Sequence, residues 1–115
     1  MSEISVIRGA ICAENNKESI SDNAVALVNE ILAKNCLVAE DVLAVFFSAT
    51  SDLNACYPAT KVRETLLPDA SFMCFAEMQV EGSLDHCLRV SVFAKTAEAK
   101  HCYLGRASKL RPDIQ

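Results

Sequence analysis

Residues 42–49 read VLAVFFSA, and the reading of this stretch decides the fold. The run is apolar as far as Ser48, mixes β-branched with aromatic side chains, and is shorter than an ordinary helix. It therefore reads as a strand. Its hydrophobicity is continuous instead of alternating, so the expectation is a strand buried on both faces.

Working outward, the segment before it has the other period. Ile20, Ala24, Leu27, Val28, Ile31 and Leu32 recur at helical spacing. Asn15 is a plausible N-cap, with Glu18 three residues on as in a capping box, and Lys34 and Asn35 suit the last turn and the stop. This is the one long amphipathic helix, and its apolar stripe must cover a sheet. Ahead of it, Ile4 to Cys12 (ISVIRGAIC) alternates. Val6, Arg8 and Ala10 share one face, while Ile7, Gly9 and Ile11 share the other.

Downstream, the polar SATSD stretch reads as a loop, and Pro58 opens a short helix carrying Val62 and Leu66. Ser71 to Phe75 (SFMCF) and Cys87 to Ala94 (CLRVSVFA) are two further strands, joined through the turn-like EGSLD. The tail KHCYLGRASKLRPDIQ fits either a last strand or a short helix. Strands dominate around one long helix, so the expected fold is α+β, a mixed β-sheet packed by that helix, in a single domain over residues 1–115.

Charge and cysteine usage narrow the function. A net charge of −4 argues against nucleic acid as the main partner, because phosphate binding wants a basic face, although a small anion needs only a local cluster of cations. No segment approaches the roughly 20 apolar residues of a membrane span. The opening MSEISVIRGA has neither the basic start nor the long apolar stretch of a secretory signal. The six cysteines are then expected to be free thiols acting as small hydrophobes in a cytoplasmic protein. There is no C-x-x-C and no paired His, so no metal site is expected.

The candidate chemistry lies in the arginines. Arg8 and Arg89 sit mid-strand among apolar residues, and Arg63 sits on the short helix after Pro58. Glu77 follows the apolar SFMCFA directly. Charged groups on such segments are rarely buried without a partner or a ligand. Converging guanidinium forks would bind a carboxylate. Taken singly, each arginine is more simply read as paired with an internal acid or reaching solvent. Glu77 alone is as readily an exposed residue past a strand end, and Cys74 a buried, inert thiol. Tyr57 and Tyr103 read singly as half-buried rings with wet hydroxyls.

Together these pieces resemble the small monofunctional chorismate mutases of the trimeric, mixed α/β type. The resemblance is carried in order by IRGA (Ile7 to Ala10), SATSDLNACYPATKVRE (Ser48 to Glu64), CFAEMQV (Cys74 to Val80), the CLRV around Arg89, and YLGRASKLRPD (Tyr103 to Asp113). It implies a homotrimer with a pseudo α/β-barrel core and active sites at the subunit interfaces. It also implies an isomerase of aromatic amino acid biosynthesis, on the shikimate pathway, that rearranges chorismate to prephenate in one pericyclic step without a cofactor.

By the same resemblance Arg89 is the cation beside the breaking ether bond, Arg8 and Tyr103 clamp the enolpyruvyl carboxylate, Glu77 accepts the ring hydroxyl, and Cys74 is a polar contact. Tyr57, Ala59, Thr60, Met73 and Leu110 match the pocket wall, and Arg63 and Arg111 match cations near its mouth. Tyr57 stands where the family more often has Phe, Thr60 where it often has Lys, and Met73 where it has a smaller residue. These departures are expected to alter affinity more than the chemical step. The residues add one inference. Cys74 and Glu77, three apart on a regular strand, face opposite ways, so one chain's pair does not easily serve one pocket. Sites between subunits remove the difficulty. Two other readings share these residues: a trimeric imine or enamine deaminase-like enzyme, and a non-catalytic binder of an aromatic-pathway carboxylate.

Overall fold

The computed structural model describes residues 3–114. Five strands form one mixed sheet: β1 (Ile4–Cys12), β2 (Val42–Ala49), β3 (Ser71–Ala76), β4 (Cys87–Lys95) and β5 (Cys102–Tyr103). The strand order is β3-β2-β4-β1-β5. β4 runs antiparallel to both β1 and β2, while β2–β3 and β1–β5 are parallel. Two α-helices, α1 (Lys17–Lys34) and α2 (Ala59–Thr65), and two short 3-10 segments, Ala39–Asp41 and Gly105–Leu110, complete the chain. This is the expected α+β arrangement, and no helix among the described residues is long and apolar enough to cross a membrane.

α1 and α2 cover one face of the sheet. Ile7 of β1, Val45 and Phe47 of β2, and Leu88, Val90 and Val92 of β4 are buried there against Ile20, Leu27 and Ile31 of α1 and Val62 of α2. Gly9 explains how closely α1 approaches. A Cβ at that position would lie 2.5 Å from the Cys102 carbonyl oxygen and 3.1 Å from Leu27 Cδ1, so only glycine lets helix and β5 meet over β1.

The helix cap differs from expectation by one residue. Asn16 is the N-cap, its side chain accepting from the Ser19 N–H at 2.7 Å, and Ser19 Oγ accepts the Glu14 N–H in return. Asn15 instead accepts the N–H groups of Asn54 and Ala55, tying the start of the helix to the loop after β2. Both asparagines have the right chemistry, and the loop contact decides which one caps. Asn35 closes the helix as expected.

Within one chain, the expectation that β2 is buried on both faces does not hold. Val42, Val45 and Phe47 are buried, but Leu43 is exposed, and Ala44 and Phe46 are half-buried. The register shows why: Phe46 lies beside Met73 on β3 and Ser91 on β4, on the face away from the helices. That face carries Val6, Phe46, Met73, Phe75 and Phe93, with Phe46 packed edge-on to Phe75 and tilted against Phe93. Met73 is 52% exposed and Phe75 48%. Its far end alone is roofed among the described residues, where the Gly105–Leu110 segment lays Ala107 and Leu110 over Ala10 and Cys87. The ambiguous tail is thus both things, a two-residue strand followed by a short 3-10 helix.

Candidate active site

A cavity of about 220 Å³ opens on the uncovered sheet face, lined in part by Arg8, Ser48, Phe75, Glu77, Arg89 and Tyr103. Four strands and the end of a fifth supply it. Arg8 and Arg89 arrive on the same face because β1 and β4 pair with Ala10 opposite Arg89 and Arg8 opposite Ser91. Tyr103 joins them because β5 pairs in parallel with β1, placing it beside Ala10. Ser48 of β2 is opposite Arg89 on the other flank of β4.

Glu77 lies one residue past the end of β3, and its N–H continues the ladder by donating to the Ala49 carbonyl at 2.9 Å. That keeps its side chain in step with Phe75, towards the cavity. One carboxylate oxygen accepts a 2.5 Å hydrogen bond from Ser48 Oγ. The other is 3.6 Å from Arg89 Nε, a loose pair with both side chains partly exposed. The Arg89 guanidinium is therefore not consumed by its internal acid. The backbone of Arg8 is fixed from behind, its N–H donating to His101 Nδ1 at 2.9 Å. Burial first, then the nearby cations Arg111, Arg8 and Lys34, hold the His101 pKa below its ordinary value, so the ring stays neutral and able to accept that bond.

Not every expected residue is in this cavity. Tyr57 and Cys74 line a second one, of about 590 Å³, on the helix side of β3, as alternation from Cys74 to Glu77 requires. Burial pushes the Cys74 thiol up, offset in part by a main-chain hydrogen bond with Ala59, so it stays protonated at neutral pH. That suits a polar contact and disfavours a nucleophile. Ala59 is buried in the core at the start of α2, while Thr60 and Arg63 are exposed on the same helix. Within one chain Ala59 is thus a core residue and not a wall of the arginine cavity. Met73 lies on the open apolar face. Leu110 packs with Tyr103 over Ala10, and Arg111 makes a two-pronged pair with Asp113.

Sequence reasoning missed Ser48 and His101. Nothing local distinguishes Ser48 from the end of an apolar run. Its partnership with Arg89 exists only in the β2–β4 register. A third polar cluster, Asp52, Asp85 and His86, brings its ligand-type atoms within 4.8 Å of one another. These groups are already engaged. Asp52 accepts from Thr50 Oγ1 and from the His86 N–H, and Asp85 pairs with Arg106 at 3.0 Å. They pin the connection before β4, where His86 takes the left-handed φ of 49°.

The chain is similar to known proteins over most of its length. A family model described as "Chorismate mutase type I" matches residues 4–114. The chain is 36% identical over 116 residues to "Chorismate mutase AroH" of Bacillus subtilis, covering 94% of this chain and 90% of that protein. It is 32% identical over 115 residues to "Chorismate mutase AroH" of Thermus thermophilus, covering 95% and 94% respectively. Among solved structures, a chorismate mutase from Clostridium thermocellum superposes with a TM-score of 0.86 at 33% identity, covering 91% of this chain and 98% of that one.

Proposed function

The chain belongs to the type I chorismate mutases, and from that membership we propose that it rearranges chorismate to prephenate at three sites shared between the subunits of a homotrimer. The carrying observation is the convergence of Arg8, Glu77, Arg89 and Tyr103 on one cavity. No histidine, lysine or cysteine lines it among the described residues. Two cations, one acid and a phenol make a poor nucleophile–base pair and a good mould for a dicarboxylate carrying a hydroxyl.

The reaction is unimolecular, so the protein has two tasks: to select the compact conformer and to stabilise charge that appears only in the transition state. As the ether bond breaks ahead of carbon–carbon bond formation, its oxygen gains negative charge. Arg89 supplies a fixed cation there, in a site whose partly apolar walls of Phe46 and Phe75 weaken screening by water. Arg8 and Tyr103 hold the enolpyruvyl carboxylate. Glu77 accepts the ring hydroxyl and places negative potential beside the ring fragment as it becomes positive. No proton leaves the substrate, and no covalent intermediate is needed.

Two features support the trimer. The sheet face with Val6, Phe46, Met73, Phe75 and Phe93 is apolar and open in one chain, as an interface between copies would be. Four other family-matched residues, Tyr57, Thr60, Arg63 and Cys74, sit on the β3–α2 edge, on the helix side of the sheet and away from this chain's own arginine cavity. A neighbouring copy's β3–α2 edge would complete each site, with Arg63 closing over the carboxylates. Free thiols at all six cysteines fit the cytoplasmic location proposed with it.

The test is chorismate consumption by purified protein, followed by ultraviolet absorbance with prephenate identified as product, in metal-free buffer without added cofactor. Light scattering on the same sample should give three times the 12.5 kDa chain mass. Tight chorismate binding without turnover would favour a carboxylate sensor, and imine hydrolysis without rearrangement a deaminase. A fully active monomer would sink the shared site.

A further inference from the structure

Ser48 presents its hydroxyl to the one acid in the site and faces the one cation the chemistry depends on. Its Oγ donates to Glu77 Oε1 at 2.5 Å, and across the β2–β4 ladder it is the register partner of Arg89. Arg89 Nε lies 3.6 Å from the other carboxylate oxygen, Oε2. The carboxylate thus stands between two donors, one on each side. The hydroxyl wins the close contact, while the guanidinium is left at ion-pair distance without a well-made hydrogen bond.

We propose that Ser48 is a positioning residue, which holds the Glu77 carboxylate aimed at the ring hydroxyl of the substrate and prevents it from closing onto Arg89. This rests on the reading that Glu77 and Arg89 act on chorismate from one site. An unrestrained carboxylate so close to a guanidinium relaxes towards the two-pronged, charge-assisted geometry that such pairs favour. Two losses would follow together. The acceptor for the ring hydroxyl would be turned away, and the cation needed by the ether oxygen would be partly neutralised before the transition state forms. Because both losses fall on interactions that strengthen as charge develops, the penalty belongs mainly to kcat.

Position and burial fit this role better than a packing role. Ser48 is half-buried on the open face, next to the half-exposed Phe75, and among the described residues the hydrogen bond its hydroxyl makes goes to Glu77 and not to a core group. The backbone of Glu77 is fixed independently through its N–H to the Ala49 carbonyl, so losing the hydroxyl frees the side chain and leaves the strand end in place.

The experiment is a double-mutant cycle on the intact protein with Ser48→Ala, Glu77→Gln and the pair, plus Ser48→Thr as the conservative variant. A lost hydrogen bond to a charged group corresponds to a drop in kcat of roughly 10- to 100-fold for Ser48→Ala, with KM moving less than about threefold. Ser48→Thr, which keeps a hydroxyl, should recover most of the rate. Adding Ser48→Ala to Glu77→Gln should cost little more than Glu77→Gln alone, because Ser48 acts through Glu77. Fully additive losses, or a Ser48→Ala enzyme that loses thermal stability with unchanged kcat, would overturn the proposal while leaving the mutase reading intact. A wild-type protein without turnover defeats the mutase reading, and the proposal falls with it.

Discussion

On the proposed mechanism, replacing Arg89 with alanine should separate catalysis from folding. The side chain is 36% exposed, and its pairing with Glu77 is at 3.6 Å, so its part in stability is that of a surface ion pair, at most about 1 kcal/mol. The melting temperature should therefore fall by only a few degrees. Its part in the proposed reaction is larger. A unit cation about 4 Å from a unit anion is worth roughly 4 kcal/mol at an effective dielectric near 20, an upper figure because the ether oxygen gains only part of a charge. Loss of one donor to a developing oxyanion in other enzymes costs a similar ~3–4 kcal/mol. The expected fall in kcat/KM is thus about 10²- to 10³-fold. Arg89→Lys, which keeps a charge but loses the planar fork, should fall between wild type and alanine. The assay is initial-rate chorismate disappearance over a substrate range, run beside thermal melts and light scattering on the same samples. A folded, correctly assembled Arg89→Ala protein with activity within tenfold of wild type would refute the electrostatic account. A protein that fails to fold would return Arg89 to a structural role.

Three other outcomes are expected from the same structure. Gly9→Ala should destabilise by about 1–3 kcal/mol in chemical denaturation, since the new methyl would meet the Cys102 carbonyl at 2.5 Å and force β5 or α1 away. His101 has a lowered folded-state pKa, so its stabilising contact with the Arg8 N–H is fully present above the ordinary value of 6.5 and is lost as pH falls through the folded value. Stability measured below pH 6.5 should decline less steeply in His101→Gln than in the parent. Burial pushes the Cys87 thiol to about 11, and the residue is 2% exposed, so alkylating reagents should modify Cys36 promptly and reach Cys87 only on unfolding, as read by mass spectrometry of digests.

Much of the architecture was written locally. β1 and β2 begin and end where their patterning says, because a period of two and a short apolar run are properties of neighbours. The 18-residue helix is equally plain from its apolar stripe, although its cap moved from Asn15 to Asn16 because Asn15 is claimed by the loop at Asn54. The alternation between Cys74 and Glu77 was also legible, and the two residues do line different cavities. Arg8, Glu77 and Arg89 stand out as charges on apolar segments, but their roles, and the choice of Tyr103, come from resemblance to a family, and nothing in their spacing alone brings them together.

That convergence is the work of tertiary structure. β4 inserts between β1 and β2, so Arg89 has Ala10 on one side and Ser48 on the other, partners separated from it by 79 and 41 positions in the chain. No local pattern carries such a pairing, because register is fixed by which long-range contacts bury the most apolar surface on the helix side. The same choice leaves Phe46, Met73 and Phe75 on an open face, which the unbroken run VLAVFFSA had hidden. A sequence determines which side chains can be buried. Which of them remain uncovered, and beside what charge, is settled only when the strands have found their neighbours.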